Sequence, residues 1–283
     1  MLMLLNGFAA LTCPFISEFF ALDWPPVQAS QQQAPAAAKD DKPKQRDPIN
    51  PDRPGIADGS MVVGSRVFQI ELGIQHETHD PAGGGHNRLL FMPALFRYGL
   101  DSRYELRIET LGLIDQWQTG QSAMGGYQPV SLGAKMQFQQ PSDKNGQLSL
   151  GTIARVFTPT GSGGFQTQHT TGDLRLAADW TMAPHWYLNP NFGFGFYEDN
   201  GRPFSTLLGA LTLSRDLDSK TQAFVDGGVQ SPEDRGGLTG TILDIGITYL
   251  PTNDTQLDFS IGTGVSGHST PRPFVGLGYS VRF

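Results

Sequence analysis

Cysteine is nearly absent from this 283-residue chain. The single one, Cys13, stands in the first 29 residues, so the remainder has neither a disulfide nor a cysteine metal site to build on. Long apolar runs are missing too: nothing downstream of that start reaches the roughly 18 residues that a membrane-crossing helix needs. Positive charge is in deficit, 20 Lys and Arg against 27 Asp and Glu for a net charge of -7, and no basic stripe occurs. That balance excludes recognition of nucleic acid through its phosphates. Helical periodicity is also lacking.

Glycine, aromatics and alternation are what the chain has instead. It carries 35 Gly, 18 Phe, 7 Tyr and 4 Trp, with only 38% apolar residues. A membrane β-barrel has this profile, because half of each strand faces a polar lumen and the average hydropathy looks soluble. The last nine residues show the pattern most clearly. Val275, Leu277, Tyr279, Val281 and Phe283 fall on one strand face, with Gly276, Gly278, Ser280 and Arg282 on the other. The terminus resembles the carboxyl-terminal signal read by the barrel assembly machinery of the outer membrane, with Gly278, Tyr279, Val281 and Phe283 in the signal's places. Gly276 stands where that signal usually carries a polar residue.

Three parts are expected. Residues 1–29 read as a signal peptide, with an apolar stretch from Leu2 to Leu22 and the small residues Val27 and Ala29 where a signal peptidase reads. They depart from the pattern in carrying Glu18 and Asp23 and in having no basic residue ahead of the stretch. Residues 30–60 read as a disordered periplasmic arm and entry segment, since the Gln, Ala, Pro and Lys-rich start cannot bury enough apolar surface to order itself. An inward plug and a cell-wall tether are the functional alternatives for the arm. Residues 61–283 read as the barrel. After Arg66, twelve alternating runs end near Gln75, Tyr98, Gln116, Gln139, Thr158, Met182, Tyr197, Asp216, Gln230, Tyr249, Ser266 and Phe283.

Tight turns, such as Gly99–Arg103 and Asp216–Lys220, alternate with longer Gly-rich connections, Thr78–Asn87, Thr119–Gln128, Pro159–Thr171, Glu198–Arg202, Ser231–Gly237 and Gly267–Arg272. The fold expected is a single antiparallel transmembrane β-barrel of twelve strands in the bacterial outer membrane, all-β, with lipid and a small-molecule solute as its partners. The sequence leaves its oligomeric state open.

The same alternation phases a lumen. Glu71, Glu105, Arg107, Glu109, Lys135, Arg155, Asp173, Arg175, Asp179, Asp226, Asp244, Asp258 and Arg282 stand opposite the apolar partners in their strands, eight acids against five bases. Facing lipid, each would cost about 2 to 4 kcal/mol at mid-depth, so all are expected inside. Two readings of this set stand side by side: a wetted, mildly cation-preferring channel lining, and a network of cross-strand ion pairs that fills the interior.

Other chemistry is thin. His76, Glu77, His79, Asp80 and His86 make the one cluster with metal-ligand types, but residues three apart on a strand point to opposite faces, and a polar loop tip is the reading adopted. Leu89-Leu90-Phe91-Met92 reads as lipid-facing strand, with a greasy pocket as its alternative. No Gly-x-Ser-x-Gly elbow occurs, and Gly161-Ser162-Gly163-Gly164 is loop glycine, so no catalytic residue, enzyme activity, metal or cofactor is expected.

From about Asp52 onward the chain resembles a family of outer-membrane proteins named for transport in the phenol-degradation meta pathway. The likeness rests on Asn50-Pro51-Asp52-Arg53-Pro54-Gly55-Ile56-Ala57-Asp58-Gly59 with Gln69-Ile70-Glu71-Leu72-Gly73. It rests also on Pro93 to Leu100 with Arg103 to Arg107, and on Val130 to Lys135. The resemblance implies a pore or uptake barrel with small aromatic compounds as cargo. The alternative is a non-conducting structural or adhesion barrel whose outer loops bind a partner.

Overall fold

The computed structural model describes residues 46–79, 85–166, 169–199, 202–232, 237–267 and 270–283. The expected signal peptide and the arm as far as residue 45 lie outside them.

Among the described residues, fifteen strand segments form one antiparallel sheet. They are β1 (Phe68–His79), β2 (Asn87–Phe91), β3 (Ala94–Gly99), β4 (Tyr104–Thr110), β5 (Leu113–Gln118), β6 (Met124–Tyr127), β7 (Val130–Gln139), β8 (Leu148–Phe157), β9 (Thr171–Ala183), β10 (Trp186–Asp199), β11 (Arg202–Asp216), β12 (Thr221–Gln230), β13 (Gly240–Thr252), β14 (Thr255–Ser266) and β15 (Phe274–Arg282). Because β15 pairs back onto β1, from Gln69 with Arg282 to Glu77 with Phe274, the sheet closes. No edge is left to satisfy, which a bilayer demands of any sheet that crosses it.

The fifteen segments make twelve staves, because β2 with β3, β4 with β5, and β6 with β7 are each one stave with a bend. The bends fall at Met92-Pro93, Leu111-Gly112 and Gln128-Pro129 on three neighbouring staves. Pro93 and Pro129 have no N–H for the ladder, and Gly112 adopts a φ of 71°, where a Cβ would lie 1.9 Å from the Met92 carbonyl oxygen. Bonds across the bends keep them in step: Met92 N–H donates to Leu113 O at 2.9 Å, and Gln128 N–H to Gly112 O at 2.8 Å.

Alternation assigns the two faces. In β4, Tyr104, Leu106 and Ile108 stand outside and Glu105, Arg107 and Glu109 inside. Phe192, Phe194 and Phe196 of β10, and Val275, Leu277 and Tyr279 of β15, are outside likewise. At the lip, the rings of Phe68 and Phe283 stack with centroids 6.3 Å apart.

Four readings of the sequence need correcting. Thr119–Gln128 is not one outer loop, because Met124–Tyr127 is β6 and pairs with β5. His76 to His79 is not a loop tip but the end of β1, paired with β2. Glu198–Arg202 is not a long outer loop: β10 and β11 stay paired as far as Asp199 with Arg202. Leu89 to Met92 is not one lipid-facing patch. Leu89 and Phe91 pair with the inward-facing Glu77 and Gln75, whereas Met92 stands outside, because strand geometry splits any contiguous run between both faces.

Candidate functional site

The inside of the barrel is occupied by residues 46–66. Their sequence alternates no apolar face, and they form no strand or helix. At the mouth that carries the tight turns, Ile49 N–H donates to Asn253 O at 2.7 Å and Arg282 Nη2 to Asp47 O at 2.6 Å. The segment then rises into the lumen and returns to the same mouth, where Arg66 N–H donates to Gly99 O at 2.8 Å just before β1. The expectation of a disordered periplasmic arm and entry segment over 30–60 is therefore corrected for residues 46–60: they are ordered and, from Ile49 on, lie inside as the inward plug that was the alternative. The physical reason is charge complementarity with the wall, which a reading of the segment by itself does not contain.

Two acids of the plug meet the basic side of the lumen. Asp52 takes Arg107 in a close ion pair, Lys135 Nζ at 3.1 Å and Arg97 Nη1 at 3.7 Å. Asp58 takes Arg155 in a close ion pair, Arg175 at 2.9 Å and Arg107 at 3.4 Å. Burial by itself would push the Asp52 carboxyl up, but Arg97, Lys135 and Arg107 outweigh it and hold the group well below its ordinary value. Arg155, Arg175 and Arg107 do the same for Asp58.

Wall acids complete the network. Arg97 donates Nε to Glu105 at 2.9 Å and Nη1 to Glu71 at 3.1 Å. Arg155 pairs with Asp173 at 3.2 Å and closely with Glu109. Backbone N–H groups of the plug find partners on the same wall. Asp52 and Arg53 donate to Glu71 at 3.0 and 3.1 Å, Val63 to Glu105 at 2.9 Å, Asp58 to Asn191 Oδ1 at 2.8 Å, and Ser60 to Asp179 at 2.7 Å. A buried coil leaves its polar backbone unpaired unless side chains reach it, and these do.

Seating of both carboxylates sets a pH window. A group held below its ordinary value favours the seated plug above the ordinary carboxylate range and loses that effect as pH falls through it. Conductance of the refolded protein is expected to stay flat between about pH 8 and pH 5 and to rise only below about pH 4. A rise already at pH 6 would show that other groups hold the plug.

Arg53 points the opposite way, to the closing seam of the barrel. Its Nη2 donates to Asp258 Oδ1 at 3.1 Å and to Leu277 O at 3.2 Å. The seat exists because Gly73 of β1 and Gly278 of β15 are register partners without side chains. A Cβ on Gly73 would fall 2.5 Å from Arg53 Nη1, and one on Gly278 2.5 Å from its Nε. The guanidinium can swing away while the strands cannot, so Gly73→Ala is expected to leave the barrel folded and to unseat Arg53. Loss of one partly buried pair, about 1 kcal/mol, shifts the seated fraction roughly fivefold and raises conductance accordingly.

The residues phased toward the lumen divide into two groups. Glu71, Glu105, Arg107, Glu109, Lys135, Arg155, Asp173, Arg175 and Asp179 stand inside on the staves of β1, β4, β7, β8 and β9 and are tied to each other or to the plug. Asp226, Asp244 and Asp258 stand inside on β12, β13 and β14, with Arg53 as the base that reaches Asp258. Arg282 sits at the lip, 2.7 Å from Asp254. Of the terminal signal positions, Tyr279 and Phe283 face outward, Gly278 lies against Arg53 and Asp258, and Val281 pairs with Ile70 of β1. Of the His cluster, His76, Glu77 and His79 stand on β1, where His79 Nε2 bonds Glu77 at 2.8 Å inside the far half of the barrel, and Asp80 lies outside the described residues.

Sequence reasoning missed Arg97, Asp52, Arg53 and Asp58. Arg97 was legible, since it alternates with Phe96 and Tyr98 in the phase used elsewhere. The three plug residues carried no such signal.

Two cavities flank the plug on the β10–β13 side. The one toward the long loops is about 420 Å³ and is lined by Ile56, Asn191, Leu208, Gly228, Gln230 and Ile242, among others. The one toward the tight turns, about 680 Å³, is lined by Ile49, Asn50, Tyr187, Gln222, Thr248 and Gln256, among others.

Among solved structures, the fold is similar to an outer membrane channel from Pseudomonas putida F1, with a TM-score of 0.64 and 14% identity over 79% of this chain and 98% of that one. Weaker likenesses are the KdgM porin in complex with disordered oligogalacturonate (TM-score 0.49, 11% identity, 75% of this chain and 99% of that one) and the CymD monoaromatic hydrocarbon channel (0.46, 10%, 77% and 89%). At such identities the likeness establishes the barrel fold alone. No curated protein matches the sequence. Residues 51–283, the barrel with the plug from Pro51 on, match the family described as "Putative MetA-pathway of phenol degradation", and the chain belongs to that family.

Proposed function

We propose that this protein is an outer-membrane channel for uptake of small solutes, closed at rest by its own residues 46–66, and not an enzyme. One observation carries the reading: the lumen is filled by a separate segment anchored at one mouth, not by the wall's own side chains. A twelve-stave barrel is too wide for its walls to fill, and one built only for rigidity would gain nothing from a filling held mainly by polar contacts to the wall. Passage then needs the plug to shift, and the width and charge of the opened lumen select the solutes that cross.

Small aromatic compounds are the cargo we favour. Family membership supports this, as does the outer cavity, whose size lies within the roughly 300–1,000 Å³ of small-molecule sites and whose lining mixes Ile56, Leu208 and Ile242 with Asn191 and Gln230. Delivery to the membrane would use the terminal signal at Gly278, Tyr279, Val281 and Phe283, read by the assembly machinery.

The test is conductance of the refolded protein in a planar bilayer, paired with uptake of a phenol against a sugar of similar size into proteoliposomes. Low resting conductance that rises when the plug is loosened, with the phenol preferred, supports the reading. A folded barrel closed in both states would instead favour the structural or adhesion role, for which the buried ion-pair network is the supporting observation.

A further inference from the structure

The two cavities beside the plug share a wall, and the acids between them take no part in the network that seats the plug's own acids. On that wall β11, β12 and β13 present Leu208, Gly228 and Ile242 to the outer cavity and Gln222 and Thr248 to the inner one. Between those levels, in the same inward phase, come Asp226 of β12 and Asp244 of β13, which are direct register partners. The plug covers this level: Ile56 N–H bonds Asp226 Oδ2, and a Cβ on Gly228 would meet Ile56 Cγ2 at 2.8 Å.

We infer that Asp226 and Asp244 form a binding point for a small monovalent cation or ammonium group at the level between the two cavities. The inference rests on the channel reading for its place on a transport path, but the site itself stands on three observations. First, the residues are 1% and 4% exposed, and Oδ1 of each has no hydrogen-bond partner. Buried carboxylate oxygens left without donors are costly, and a cation or its N–H groups would satisfy both at once. Second, no ion pair reaches either residue among the described residues, whereas the acids across the lumen are neutralised by Arg97, Arg107, Lys135, Arg155 and Arg175. Third, no group of three metal-ligating side chains occurs among the described residues, so two carboxylates face the guest without the chelation a divalent metal requires.

One consequence separates this from a general acidic lining. Selectivity belongs to the unpaired acids, because an acid already neutralised by arginine attracts no further cation. The plug bonds Asp226 and not Asp244, so isosteric neutralisation of Asp244 reads the site without disturbing the gate.

The experiment uses the full-length refolded protein and two probes. In a potassium chloride gradient, the reversal potential of the wild type should show a cation preference that falls severalfold in Asp244→Asn and persists in Asp115→Asn, whose side chain lies outside the barrel. In crystals soaked in caesium, anomalous density should appear between Asp226 and Asp244 and be lost in Asp244→Asn. Density absent from the wild type overturns the inference and leaves the channel reading standing. So does a reversal potential indifferent to Asp244→Asn in a conducting barrel. A barrel that holds caesium but never conducts keeps the site and overturns the channel.

Discussion

Neutralising both plug acids, Asp52→Asn with Asp58→Asn, is expected to raise single-channel conductance about tenfold or more while the barrel still folds. Each carboxylate is a hub, Asp52 for Arg97, Arg107 and Lys135, and Asp58 for Arg107, Arg155 and Arg175. Breaking a buried pair from one side typically costs about 3 to 5 kcal/mol, because the remaining charge is left without a partner. Here the cost falls on the seated plug alone. Once the plug leaves, the lumen floods and water solvates the bases. Even about 3 kcal/mol moves the ratio of seated to unseated plug roughly a hundredfold, ample to convert a closed resting state to an open one.

The wall keeps its own pairs in that variant. Arg97 still meets Glu71 and Glu105, and Arg155 still meets Glu109 and Asp173. Heat-modifiable migration in detergent gels should therefore match the wild type. Selectivity should also move toward anions, since Arg107, Lys135 and Arg175 lose their strongest partners. Conductance unchanged in a folded double variant would mean that backbone bonds to Glu71, Glu105, Asp179 and Asn191 hold the plug by themselves.

Replacing Arg97 by methionine is expected to lower the stability of the barrel itself, by about 3 to 5 kcal/mol in urea unfolding from lipid vesicles. Arg97 is 1% exposed and spends every nitrogen: Nε and Nη2 on Glu105, Nη1 on Glu71 and the Asn50 carbonyl, and Nη2 again on the Met61 carbonyl. It thus joins β1, β3 and β4 to both arms of the plug. Methionine fills the volume but leaves two buried carboxylates to share Arg107 and Lys135. Arg97→Lys should recover less than half of the loss, because an ammonium cannot span the fork that the guanidinium reaches. Full recovery by lysine would reduce the role of Arg97 to charge alone.

Much of this architecture was legible in the order of residues. Twelve alternating runs became twelve staves, and the phase of Tyr104-Glu105-Leu106-Arg107-Ile108-Glu109 is the phase in which β4 stands. A bilayer explains why. Lipid on one side and polar contents on the other impose a period of two on every stave, and a charge facing outward is costly at mid-depth, though not at the rims, where Asp115 and Arg215 face out. The same rule would have found Arg97 from Phe96 and Tyr98 beside it. Where the local rule says less, composition and structure part. Leu89 to Met92 is apolar throughout and so resembles a single patch, although alternation divides it between two faces, and Glu198–Arg202 has the polar residues of a turn while the ladder continues beneath them.

The sequence by itself determined the barrel, its stave count and which side chains look inward, since each follows from a periodicity confined to about ten neighbouring residues. Only the tertiary structure decided what fills the lumen and which of its charges stay free. Residues 46–66 have no period to read, and their place depends on partners far along the chain, as with Arg53 and Asp258, 205 positions apart. Charge complementarity across such distances leaves no local trace, because an aspartate awaiting three basic partners is spelled the same as one facing water. Asp226 and Asp244 show the converse: they read like every other inward acid, and closure of the barrel around the plug is what left them unpaired.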